Sequence, residues 1–103
     1  MRKKAYTVYN TPEYDEWFAD EPPRSQVQIL GRLSHIQDEG YFGDHKDVRD
    51  DVWELRWKNG RRVYYAYIPE KKILLILGGN KNGQGKDIRK AKKILQKHVA
   101  FEK

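Results

Sequence analysis

The stretch WELRWKNGRRVYYAYI, Trp53 to Ile68, constrains the chain most, because large apolar residues alternate with charged ones on both sides of Asn59-Gly60. Such alternation around an Asn-Gly pair is the pattern of a β-hairpin. Two turns fit it. A two-residue Asn59-Gly60 turn pairs Lys58 with Arg61, which puts Leu55 and Trp53 on the same face as Arg62 and Tyr64. A three-residue loop, Lys58-Asn59-Gly60 with a left-handed Gly60, pairs Trp57 with Arg61 and Arg56 with Arg62. Leu55 then faces Val63 and Trp53 faces Tyr65 on an apolar side, while Glu54, Arg56, Arg62 and Tyr64 share the other. Burying an unpaired arginine costs on the order of several kcal/mol, against ~1 kcal/mol for local preference. The three-residue loop is therefore expected, with two arginines side by side on an open sheet face. Like charges directly opposite repel. Glu54 is the anion that can join them in the free protein, and a phosphate in a complex.

The flanking segments follow from their own patterns. Ala5 to Asn10 reads as a strand. Thr11-Pro12-Glu13 starts a short helix whose Tyr14, Trp17 and Phe18 share one face, and Pro22-Pro23 ends it. Arg24 to Glu39 is a second helix with apolar residues at 27, 29, 30, 33 and 36 and Gly40 as its stop. Tyr41 to Val52 reads as a connection. Ile73 to Leu77 is continuously apolar, so this strand is expected to be central and covered on both faces over part of its length, with Gly78-Gly79 ending it. Asn80 to Gly85 is a loop, and Lys86 or Asp87 opens a last helix with Ile88, Ala91, Ile94, Leu95 and Val99 on its core face. The expected order is β-α-α-β-β-β-α, an α+β domain with a mainly antiparallel sheet and a helical hairpin on one side, spanning residues 1–103 as one unit.

The charge is uneven. Twenty-one Lys and Arg stand against 15 acids, and between Arg56 and His98 only Glu70 and Asp87 are acidic. A basic half favours polyanions such as nucleic acid. The absence of cysteine excludes disulfides, thiolate metal sites and cysteine nucleophiles, and fits a reducing cytoplasm. The three histidines have no ligand spacing, so no metal or other cofactor is expected. No apolar run predicts a membrane span or an export signal. LGGNKNGQGK lacks P-loop spacing, since Asp87 stands where a Ser or Thr is needed, yet its amides and Lys86 can hold one phosphate.

Arg, Lys, Tyr, Glu and Asp around an open sheet face suit RNA cleavage without metal: a ribose 2′-OH attacks the adjacent phosphorus and cations stabilise the charge that builds. Arginine stays protonated, so a base must come from Glu54, Asp87, His45, a lysine of lowered pKa or the substrate environment, and the sequence does not choose among them. Arg56 and Arg62 of the hairpin, with Lys81, Gln84 and Asp87 of the polar run after it, are the groups expected to do the work. Lys46, Lys58, Arg61, Tyr64, Gln84 and Lys86 form the expected RNA-contacting set.

FGDHK (Phe42 to Lys46), WELR (Trp53 to Arg56), GRRVYYAY (Gly60 to Tyr67) and LLILGGNKNGQGKDIRKA (Leu74 to Ala91) stand in that order. Together they resemble the RelE/ParE toxin superfamily, and within it the HigB-like "addiction module killer protein" branch, from about Val8 to Val99. The resemblance implies the toxin of a type II toxin–antitoxin module: a cytoplasmic, ribosome-dependent mRNA endonuclease that needs no metal and is silenced by an antitoxin, typically of helix-turn-helix type. It puts Arg56, Arg62 and Lys81 around the scissile phosphate and matches Lys46 to the lysine of FGDxK. Departures are Asn80, usually Asp in the branch, and Asp87-Ile88 where RelE-type nucleases carry a tyrosine or histidine. Glu54 and Val52 stand where those nucleases carry lysines. A ParE-like gyrase inhibitor and a non-catalytic RNA- or ribosome-binding domain are the competing expectations. An acidic antitoxin is expected to cover the basic face.

Overall fold

The computed structural model describes residues 4–102. Strand β1 (Thr7–Asn10) leads into α1 (Pro12–Ala19) and α2 (Pro23–Glu39), followed by β2 (His45–Asp47), β3 (Trp53–Arg56), β4 (Arg61–Ile68), β5 (Lys72–Asn80), a 3-10 turn (Lys81–Gly83) and α3 (Gln84–Glu102). The five strands form one sheet in the order β1-β5-β4-β3-β2. β1 is parallel to β5 and the other pairs are antiparallel. The fold is α+β as expected, with one strand more. β2 lies in the segment read as a connection. It escapes the alternation test because its His-Lys-Asp is polar and exposed throughout, and β3 supplies its pairing.

Local chemistry sets the helix ends. The Thr11 hydroxyl accepts from the Tyr14 amide at 3.0 Å, capping α1, and donates to the Ile76 carbonyl at 2.6 Å, tying that cap to β5. Gly40, at φ 71°, closes α2. Pro23 opens α2, and α1 already ends at Ala19. The α2 core stripe is narrower than expected. Ile29, Leu33 and Ile36 are buried, while Val27 and Leu30 are 68% and 54% exposed. At 100° per residue those two fall outside the arc that faces the sheet.

The sheet is covered on both faces. Tyr14, Ile29, Leu33, Ile36, Leu55, Val63, Tyr65, Ile73 and Leu75 fill the layer under α1 and α2. Val52, Tyr64, Ala66, Ile76, Leu77, Ala91, Ile94 and Leu95 fill the layer under α3. β5 is an interior strand, between β1 and β4, as its apolar run predicts. The register between β4 and β5 shifts at Tyr64/Tyr65, so Ile76 and Leu77 both turn toward α3. Gly78-Gly79 does not end β5. The strand continues to Asn80 because the glycines serve close approach: a Cβ on Gly78 would collide with the Trp17 indole, and one on Gly79 with the Asp87 carboxylate. The core face of α3 is formed as expected, although the Val99 side chain lies outside the described residues. Among the described residues no helix is long and apolar enough to cross a membrane.

Candidate functional site

The β3–β4 hairpin has the three-residue loop. Arg56 pairs with Arg62, Leu55 with Val63 and Trp53 with Tyr65. The Trp57 amide donates to the Arg61 carbonyl at 3.1 Å, and Gly60 is left-handed at φ 97°. The side carrying Glu54, Arg56, Arg62 and Tyr64 is not open, however. α3 lies across it, so Glu54 and Tyr64 are fully buried and only Arg56 reaches solvent appreciably. Its apolar stripe needs an apolar surface, and Tyr64, Ala66, Ile76 and Leu77 provide one.

Glu54 sits between the arginines. Its Oε1 lies 3.5 Å from Arg56 Nε and 4.0 Å from Arg62 Nε, and its Oε2 accepts from Gln84 Nε2 at 2.7 Å. Arg62 Nη1 donates to the carbonyls of Trp57 and Arg61 at 3.2 and 2.9 Å. The Arg62 side chain is thus 9% exposed and tied to the hairpin loop, whereas that of Arg56 is 35% exposed. Lys46 stands opposite Glu54 on the edge strand, exposed.

The 3-10 turn brings a further cation to the hairpin. The Asn80 side chain accepts from the amides of Asn82 and Gly83, and the Lys81 amide donates to the Gly60 carbonyl at 2.8 Å. The methylenes of Lys81 lie against Gly60, 3.4 Å from where a Cβ would stand. α3 then starts at Gln84, earlier than expected, and its first turn sets Asp87 over Gly79, the register partner of Arg62. Burial holds the Asp87 carboxyl above the usual carboxylate range, against the opposing pull of Lys90 and Lys86. A carboxyl with its folded pKa raised binds more protons folded than unfolded. Stability is therefore expected to fall as pH climbs from about 4 through the raised value. Asp87→Asn should abolish that decline, and urea midpoints in a pH series check it; an equal decline in the variant would assign it elsewhere.

Other expected residues are placed differently. Tyr64 has no exposed surface to stack on a base; burial first, then the charges of Glu54 and Asp87, push its hydroxyl well above the usual tyrosine range. Arg61 turns to the opposite face, its Nε 2.9 Å from Glu21 Oε1. Gln84 is bonded to Glu54 and does not project outward. Lys58 and Lys86 are exposed, at the hairpin tip and on the first turn of α3. His45 stands opposite Leu55, packed against Phe42 and Trp53 on the far face from Glu54. Among the described residues no three His, Asp or Glu converge as metal ligands would.

Arg32 was not among the expected residues. Its Nη2 donates to the Arg56 carbonyl at 2.9 Å, its Nη1 to the carbonyls of Phe42 and Asp44, and its guanidinium lies 4.3 Å over the Trp57 ring. It fixes the β3 backbone where Arg56 projects. Its position between Ile29 and Ile36 on the buried stripe of α2 was the available signal.

Residues 16–98 match the family described as "Phage derived protein Gp49-like (DUF891)". A Haemophilus influenzae protein, itself uncharacterised, is 35% identical over 92 residues, covering 86% of this chain and 92% of that one. Among solved structures, a mutant of E. coli toxin RelE in the free state superposes with TM-score 0.67 at 14% identity, covering 84% of this chain and 93% of that one. The intact E. coli RelBE toxin–antitoxin complex gives 0.63 at 18%, covering 74% and 96%. The RelBE2 toxin–antitoxin complex from Mycobacterium tuberculosis gives 0.62 at 17%, covering 74% and 98%. At these identities the structural likeness is one of fold.

Proposed function

Since the chain belongs to the phage-derived Gp49-like (DUF891) family, a family of RelE-like toxins, we propose that it is the toxin of a type II toxin–antitoxin module, acting in the cytoplasm as an endonuclease on ribosome-bound mRNA. The motifs from FGDHK to DIRKA support assigning it to the HigB-like branch. The observation that carries the reading is the Arg56–Arg62 cross-strand pair, with Arg56 reaching solvent and Asp87, in the first turn of α3, lying over Gly79, the register partner of Arg62.

In this mechanism the 2′-OH of the ribose attacks the adjacent phosphorus, a cyclic phosphate forms, the P–O5′ bond breaks, and the 5′ oxygen of the next nucleotide leaves with a proton taken from water. Arg56 meets the charge that builds on the phosphate oxygens. Lys81 adds charge from the 3-10 turn after β5, and Arg62 adds it from behind without contact. Asp87 takes the 2′-OH proton: its raised pKa makes it a better base than an ordinary aspartate, and it is not sealed in as Glu54 is. Lys46, Lys58 and Lys86, all exposed, bind the RNA backbone. A cognate antitoxin silences the protein, a reading supported by the RelBE complexes that share its fold.

The test is to induce the protein and map mRNA 5′ ends in translating extracts. Breaks in translated mRNA that depend on the chain carry the proposal. Intact mRNA with gyrase-linked DNA breaks, or with normal growth, would overturn it.

A further inference from the structure

Given the RNA reading above, we propose that Glu54 is an internal rival of the phosphate, a specificity-determining residue that keeps the arginine pair half-neutralised against loosely held RNA. The Glu54 side chain has no exposed surface, yet its Oε1 has no hydrogen-bond partner among the described residues. It faces the Nε atoms of Arg56 and Arg62 at 3.5 and 4.0 Å, beyond good hydrogen-bond length. Arg62 Nε is likewise buried without a hydrogen bond. The carboxylate therefore supplies charge to the pair without directional bonds that would lock it there. Its other oxygen accepts from Gln84 in the first turn of α3, and the buried Tyr64 hydroxyl is a further polar neighbour of the carboxylate.

Two opposed arginines would be a strong anion site if left alone. With Glu54 between them the trio carries one net positive charge. A phosphate approaching Arg56 meets that carboxylate as a competitor. Free single-stranded RNA, held by few other contacts, pays for the competition in affinity. RNA already fixed by a larger assembly does not depend on this one contact.

The experiment compares wild type with Glu54→Gln, which keeps the shape and can still face Gln84. Binding of a short labelled single-stranded RNA is followed by fluorescence anisotropy through a salt series. Removing one negative charge beside the pair is expected to tighten binding roughly tenfold. It should also steepen the dependence of log affinity on log salt by about 0.7, the value of one additional phosphate contact. A structural role alone would weaken binding or leave the slope as it was. Equal or weaker affinity with an unchanged slope overturns the proposal. Retention on heparin reads the same charge without RNA: Glu54→Gln is expected to elute at higher salt, and elution at or below the wild-type salt overturns the proposal. Wild type that fails to bind RNA but is shifted on heparin by the substitution would sink the RNA reading and leave the rivalry standing. If Glu54→Gln does not fold, Glu54→Asp, which draws the charge back by one methylene, is expected to tighten RNA binding about threefold, and affinity no better than wild type overturns the proposal.

Discussion

Arg56→Ala is expected to lower cleavage of ribosome-bound mRNA by about 10²- to 10³-fold, the usual cost of removing one group that stabilises developing charge. Stability should hardly change. The Arg56 side chain is 35% exposed and its single ion pair, to Glu54, is 3.5 Å long. Glu54 is fully buried, but Arg62 stays beside it in this variant, so the loss is expected to be about 1 kcal/mol. The separation of the two effects is the point of the variant. Quantified 5′ ends from translating extracts give the rate, and a thermal melt gives the fold. Wild-type cleavage by a folded Arg56→Ala protein would remove the most accessible arginine of the site from the mechanism. Lost cleavage together with a collapsed melt would show instead that Arg56 is structural.

Arg62→Ala is expected to do the reverse in its first effect, costing about 3 kcal/mol of stability. Arg62 is nearly enclosed, holds the carbonyls of Trp57 and Arg61, and lies 4.0 Å from a carboxylate with no access to water. Its loss leaves Arg56 as the ion-pair partner of Glu54 among the described residues and leaves two loop carbonyls without this donor. For a domain of this size the melting midpoint should fall by ~10–20 °C. Lysine is not expected to rescue it, since one ammonium cannot hold two carbonyls and face a carboxylate as the forked guanidinium does. A midpoint within a degree or two of wild type would mean that Arg56 alone balances Glu54.

These opposite expectations for two adjacent arginines rest on burial, and burial was the part that the sequence hid. The hairpin register was legible because the alternative turn would have put Arg62 in an apolar layer. The two arginines, and Glu54 beside them, followed from period-2 arithmetic. That arithmetic assigns residues to faces without saying what covers a face. Glu54 looks like a solvent-facing charge until α3 is laid over it, and it tolerates that cover because two guanidiniums and Gln84 surround it. Tyr64 was misplaced for the same reason. Gly78-Gly79 was read as a strand end because glycine weakens strands, whereas Trp17 and Asp87, which need the missing side chains, are distant in sequence. β2 had no signal of its own, since a three-residue polar edge strand takes its structure from its neighbour.

The pairing of β1 with β5 bears on the order in which the molecule comes together. The hydrogen bond from Thr11 to Ile76 spans 65 positions, while the arginine hairpin closes over its own short loop. Closing a long loop carries an entropic cost that a hairpin avoids, and sheets that depend on such contacts form slowly. On the ribosome, β1 and the two helices after it emerge first, but their place on the sheet does not exist until β5 has been made. The arginine hairpin can thus pair its own strands early, whereas β1 must wait for β5.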